Sequence, residues 1–182
     1  MIRTFESYRP KIAPSAWVDE TALVIGDVEL AEDVSVWPMT VVRGDVHYIR
    51  VGARSNIQDG AVVHVAHAGD HSPGYPTIIG EDVTVGHKAI VHACTVEDAC
   101  LIGMAATIMD GAVLGSESIL GAGSLVPPGK QLPGGHLYVG SPAKAVRELT
   151  EEEREFLRYS ARNYVSVKNR HRASSGPLAE NQ

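Results

Sequence analysis

The chain has 182 residues, a formal net charge of -6 and 44% hydrophobic residues, which suits one globular domain with its own core. It has no basic block to hold nucleic acid and no apolar run near the ~20 residues of a membrane-spanning helix, so neither is an expected partner. Two cysteines, Cys94 and Cys100, do not make a disulfide framework, and MIRTFESYRP lacks a secretory apolar region, so a cytoplasmic setting is expected.

Residues 1–16 read as an irregular N-terminal segment, because Pro10 and Pro14 prevent a helix. Residues 17–140 read as an all-β solenoid. Aliphatic residues followed by small or polar ones recur at Ile25, Leu30, Val36 and Val42, then at Val51, Ile57, Val63, Ile79, Val85 and Val91. They continue at Val96, Ile102, Ile108, Leu114, Leu120, Val126 and Leu132, and the usual step is six residues. A small or β-branched residue stands four places after most of them, as at Ala61, Ala89, Ala106, Ala112 and Ser118.

That period fits neither the ~3.6 of a helix nor the ~2 of an alternating strand. It fits a coil of three short strands, about eighteen residues per turn, with the aliphatic at each inward corner. Stacked turns, ~4.8 Å apart, bury together what one turn cannot bury alone. A narrow interior also accounts for 5% aromatic residues against 18 glycines. A β-sandwich would show turn signals every ~8–12 residues and would not hold one phase from Ile102 to Leu132.

Two gaps interrupt the repeat. Val42 to Val51 contains three extra residues, read as a bulge around Val46, His47 and Tyr48. Val63 to Ile79 contains ten, read as a loop from Gly69, Asp70, Pro73, Gly74 and Pro76. Residues 141–172 form a turn and a C-terminal α-helix. Thr150 and Glu153 make a capping box, and Phe156, Leu157, Ala161, Tyr164 and Val165 form an apolar stripe that runs to about Asn169. Residues 173–182 are polar and are expected to be disordered.

Five of the eight histidines fall between Asn56 and His92, and three of them, His64, His87 and His92, lie inside the repeat. His64 and His92 are 28 residues apart, and without the ten inserted residues the separation is one turn of eighteen. Both directly follow an inward aliphatic residue, so they should sit one above the other on the same face, able to share a metal ion at a Zn–N distance of ~2.0–2.1 Å. His87 stands two places after Val85 and points across a corner, away from that pair. One subunit cannot close a three-histidine site, but a threefold homotrimer can, with His87 supplied by the next chain. Zinc suits three neutral imidazoles, and iron and cobalt also accept nitrogen ligands.

Arg43-Gly44-Asp45, Asn56-Ile57-Gln58-Asp59-Gly60, His64, Gly86-His87 and His92 together resemble the γ-class carbonic anhydrase-like family of hexapeptide-repeat proteins. The resemblance runs from about Trp17 to Arg147. It implies a left-handed parallel β-helix, although general chirality rules favour the other hand. It also implies a homotrimer with the ligand set just described. Three protein ligands leave an open position for water, and a bound metal brings that water's pKa to about 7, giving hydroxide to attack carbon dioxide and form bicarbonate. By the same resemblance Gln58 would hydrogen-bond that water, with Asn56 close by. Arg43 with Asp59 would form a charged contact across the subunit interface, and Asp45 would belong to the same cluster. For these three charged residues, structural pairing at an interface is an equal alternative.

The family's archetype carries glutamates for proton export where this chain has Val46 and His67. His67, His71 and His47 are chemically able to move protons near neutral pH, the alternative being ordinary exposed polar residues. The expected activity is therefore that of a zinc-dependent lyase of the carbonate dehydratase type, with turnover open. Two alternatives share the fold: a non-catalytic metal-stabilised trimeric scaffold, and a coenzyme-A-dependent acyltransferase.

Overall fold

The computed structural model describes residues 1–174. The chain winds as a parallel β-solenoid with three walls. One wall stacks Trp17–Val18, Ser35–Val36, Asn56–Ile57, Thr84–Val85, Leu101–Ile102, Ile119–Leu120 and His136–Gly140 in parallel register. The second wall carries Val62–His64, Ile90–His92, Thr107–Ile108 and Leu125–Val126. The third carries Thr77–Ile79, Thr95–Val96, Val113–Leu114 and Gln131–Leu132. Two long strands, Leu23–Leu30 and Val41–Val51, bend round the edge between the second and third walls and join them into one sheet.

The six-residue rhythm is the rhythm of burial. Val36, Val42, Ile57, Val63, Val85, Val91, Ile102, Ile108, Leu114 and Leu120 are fully enclosed in the prism. At one corner each turn needs a residue at positive φ, and Asp33, Arg54, Asp82, Ala99 and Glu117 adopt it at 53–62°. Non-glycine residues take that conformation at a cost of ~1–2 kcal/mol each, offset by the burial that every turned corner permits.

The structure corrects four expectations. The first 16 residues are not wholly irregular. Ile2–Arg3 pairs with Val24 and Ile25, and Lys11–Ile12 pairs with Glu29 and Leu30, because Leu23–Leu30 is an early strand with an open edge that needs backbone partners. The loop after His64 is a hairpin, with Ala66–Gly69 antiparallel to Ser72–Tyr75. Gly74 (φ +75°) permits its close approach, since a Cβ there would lie 2.7 Å from the Ala68 nitrogen. The helix spans Glu151–Ser174 and so outruns Asn169, because its last turns have their own contacts. His171 packs against Trp17 and Trp37, and Arg172 donates to the Pro14 carbonyl at 3.2 Å. Phe156 is half exposed, while Leu157 and Ala161 are buried with Lys168. The Lys168 ammonium is satisfied by Asp33 at 2.8 Å, the Ser15 carbonyl at 2.9 Å and Asn169 at 2.8 Å.

The three-residue excess lies inside Val41–Val51. Gly26 faces Gly44 and Val28 faces Ile49, so five residues of one strand span what two span in the other. The capping box is present: the Thr150 amide donates to Glu153 at 2.9 Å, and the Glu153 amide donates to the Thr150 hydroxyl at 3.3 Å. Of the expected tail, residues 175–182 lie outside the described residues. Among the described residues no helix is long and apolar enough to cross a membrane.

Candidate metal centre

Val63 and Val91 point into the core, so the next residue on each strand, a histidine, points out. The ladder places His92 directly opposite His64, the register that the eighteen-residue arithmetic predicts. His64 Nδ1 and His92 Nε2 are 3.1 Å apart. Each ring is held from its other nitrogen: His64 Nε2 lies 3.1 Å from Asp45 Oδ1, and His92 Nδ1 lies 2.6 Å from Asp110 Oδ1. An ionised carboxylate only accepts, so these two nitrogens carry the protons. When both rings are neutral, the facing nitrogens then both present lone pairs. Two acceptors cannot bond each other, and their separation is near the ~3.3 Å edge of a tetrahedron with ~2.0–2.1 Å metal–nitrogen bonds. The pair therefore fits a cation.

Electrostatics keep His64 ready. Burial holds the His64 pKa below its ordinary value and outweighs the opposing pull of Asp45, so the ring is neutral at pH 7. Burial opposes ionisation of Asp45, but hydrogen bonds from Arg43 and His64 prevail and hold its pKa below the usual carboxylate value. Arg43 pairs with Asp45 within the chain.

His87 stands at a different corner, where its Nδ1 lies 3.0 Å from Asp59 Oδ2 of the preceding turn. Gln58 and Asn56 belong to this second group. Gln58 Nε2 donates to Asn56 Oδ1 at 3.1 Å, and Asn56 Nδ2 donates to the Thr84 hydroxyl at 3.0 Å. That hydroxyl lies 2.9 Å from the hydroxyl of Ser160 on the helix. Gln58 and His87 border one groove of about 440 Å³ with Leu101, Met104, Phe156 and Tyr164. His67 is exposed on the hairpin, and His47 lies in the bulge, where its Nδ1 accepts from the Tyr48 amide at 2.9 Å. Among the described residues of a single chain, no three His, Cys, Asp or Glu side chains form a metal-holding group.

Two residues escaped the sequence reading. Asp110 follows His92 by eighteen residues, but the turn between them has seventeen, so Asp110 falls one residue past the position of His92 and the repeat did not single it out. Thr77 donates to the His64 carbonyl and accepts from the Ala93 amide at 2.8 Å, which ties down the exit and return of the hairpin. No spacing marks it.

The fold and its outward imidazole pair define a hexapeptide-repeat β-solenoid protein with a candidate metal centre. Residues 94–127 match the family described as hexapeptide repeat of succinyl-transferase. Over 169 residues the chain is 49% identical to Protein YrdA of Escherichia coli, covering 92% of each chain. It is 48% identical to a probable carbonic anhydrase of Methanocaldococcus jannaschii, over 86% of this chain and 94% of that one. It is 42% identical to Gamma carbonic anhydrase 2, mitochondrial, of Arabidopsis thaliana, over 94% of this chain and 62% of that one. A solved structure described as a putative acetyltransferase of Bacillus cereus superposes with a TM-score of 0.90 at 40% identity, covering 96% of this chain and 98% of that one. The chain belongs to the γ-class carbonic anhydrase-like family of hexapeptide-repeat proteins.

Proposed function

We propose that this protein hydrates carbon dioxide to bicarbonate at a three-histidine metal site shared between copies of a homotrimer. The observation that carries the reading is the His64–His92 pair, whose ring nitrogens face each other at 3.1 Å. His87 and Gln58 border a groove at another corner of the same coil, so a second copy can bring them to the pair. His64, His92 and the partner subunit's His87 would hold zinc, iron or cobalt. Such an ion supplies a Lewis acid able to bring the pKa of water to about 7.

The chain's own residues do the rest. Asn56 fixes the Gln58 amide, whose remaining hydrogen-bonding capacity can orient water beside the imidazoles. Arg43 and Asp45 hold His64, and Asp59 holds His87. His67, exposed on the hairpin, can carry the released proton to buffer.

The test is metal analysis of protein purified without added metal or chelator. Carbon dioxide hydration is then measured on zinc-loaded protein and on iron-loaded protein prepared without oxygen. Stoichiometric metal and hydration above background are expected. Bound metal without hydration favours a non-catalytic metal-stabilised scaffold, and absence of both overturns the reading. A second reading, acyl transfer from coenzyme A, draws on the likeness to the Bacillus cereus structure and on the apolar groove beside His87. It requires thiol release from acetyl-coenzyme A with an acceptor.

A further inference from the structure

We infer that Asp110 is a positioning residue for His92: its carboxylate fixes the ring's tautomer and orientation, and so sets the affinity of the centre for its metal. The inference rests on the proposed metal site and adds a residue that the sequence pattern did not name.

The geometry is direct. Asp110 Oδ1 lies 2.6 Å from His92 Nδ1, a charge-assisted bond and the shortest contact to any of the three imidazoles. With the proton held on Nδ1, the lone pair is confined to Nε2, the nitrogen that faces His64. Without the carboxylate the ring is free to take the other tautomer, or to turn about its bond to Cβ, and the facing lone pair is lost. A carboxylate behind a ligating imidazole also raises the basicity of the free nitrogen, a recurrent arrangement at metal centres.

Asp110 is built for this placement. Its backbone carbonyl accepts from the Gly129 amide at 2.8 Å, so the next turn of the coil fixes the main chain. Its side chain is about one-third exposed, too open to serve as a core contact. The ladder pairs Val91 with Ile108, so Met109 takes the position above His92, and Asp110 stands one residue further on, at the corner where the strand ends. One column of the coil therefore supplies the two imidazoles, and the corner of the next turn supplies the orienting carboxylate.

The experiment measures zinc affinity of the full-length native assembly by competition with a chromophoric chelator, for the wild type, Asp110→Ala, Asp110→Asn and His92→Ala. Asp110→Ala should weaken zinc binding about 10–100-fold. Asp110→Asn keeps an oxygen that can accept from Nδ1–H, so it should recover part of that loss. The visible absorption of the cobalt-loaded protein should shift in Asp110→Ala, while metal-free thermal unfolding stays at the wild-type temperature. If Asp110→Ala binds zinc as the wild type does while His92→Ala does not, the positioning role is overturned and the metal site stands. If His92→Ala also retains zinc, the metal reading falls and takes this inference with it. A metal-free Asp110→Ala that melts earlier, with no rescue of affinity by Asp110→Asn, would assign Asp110 a purely structural role and overturn the proposal.

Discussion

The coil has two halves with different characters. From Leu101 to Leu132 the repeat is unbroken, each strand is two residues long, and every turn copies the one before. From Val41 to His92 it is broken twice, by the bulge at Val46–Tyr48 and by the hairpin Ala66–Tyr75, and the three imidazoles lie here with Asp45 and Asp59, while Asp110 reaches them from the uniform half. Repetition gives identical corners, which bury apolar side chains well but cannot distinguish one position from another. Chemistry needs unlike groups at one place. The insertions supply them where they leave and rejoin an otherwise uniform wall.

The sharpest break of that comparison is a cavity in the uniform half. Ile108→Ala, at a fully buried position, should cost about 2–5 kcal/mol in urea unfolding, with zinc bound per folded chain unchanged. Lost zinc stoichiometry in the folded variant would mean that the halves are not separable. A smaller effect belongs to the interrupted half. His67→Gln should slow turnover several-fold in dilute buffer, with recovery on adding imidazole, and should leave unfolding untouched. A rate that ignores buffer concentration removes His67 from proton transfer. The smallest effect lies outside both halves. Bonds from Arg147 and from the Thr150 amide hold the Glu153 pKa down to about 2. A depressed carboxylate pKa contributes stability that is complete above the unfolded value of about 4.5 and is lost as pH falls towards 2. Helicity measured by circular dichroism should therefore decline modestly over that window in the wild type and not in Glu153→Gln. Parallel curves would count against the capping role.

The sequence made the coil legible because every inward aliphatic had to recur at the same phase, and Val63, Val91 and Ile108 could not drift without exposing themselves. The His64–His92 register followed from the same count. The positive-φ corners were hidden, because Asp33, Arg54 and Glu117 carry no glycine-like signature and their backbone shape is imposed by the stacked turns. The hairpin was hidden because Ala66–Gly69 and Ser72–Tyr75 have neither alternation nor β-branched residues. Asp110 was missed because a carboxylate one turn from a histidine reads as an exposed corner until its distance is known.

The separation of His87 from His64 and His92 by a corner has a genetic consequence. On the proposed reading, a chain carrying His92→Ala and a chain carrying His87→Ala are each inert alone. Co-expressed, they can meet at a seam where one contributes its intact pair and the other its intact single ring. Two dead alleles would then restore one another, a complementation that no site contained within one polypeptide permits.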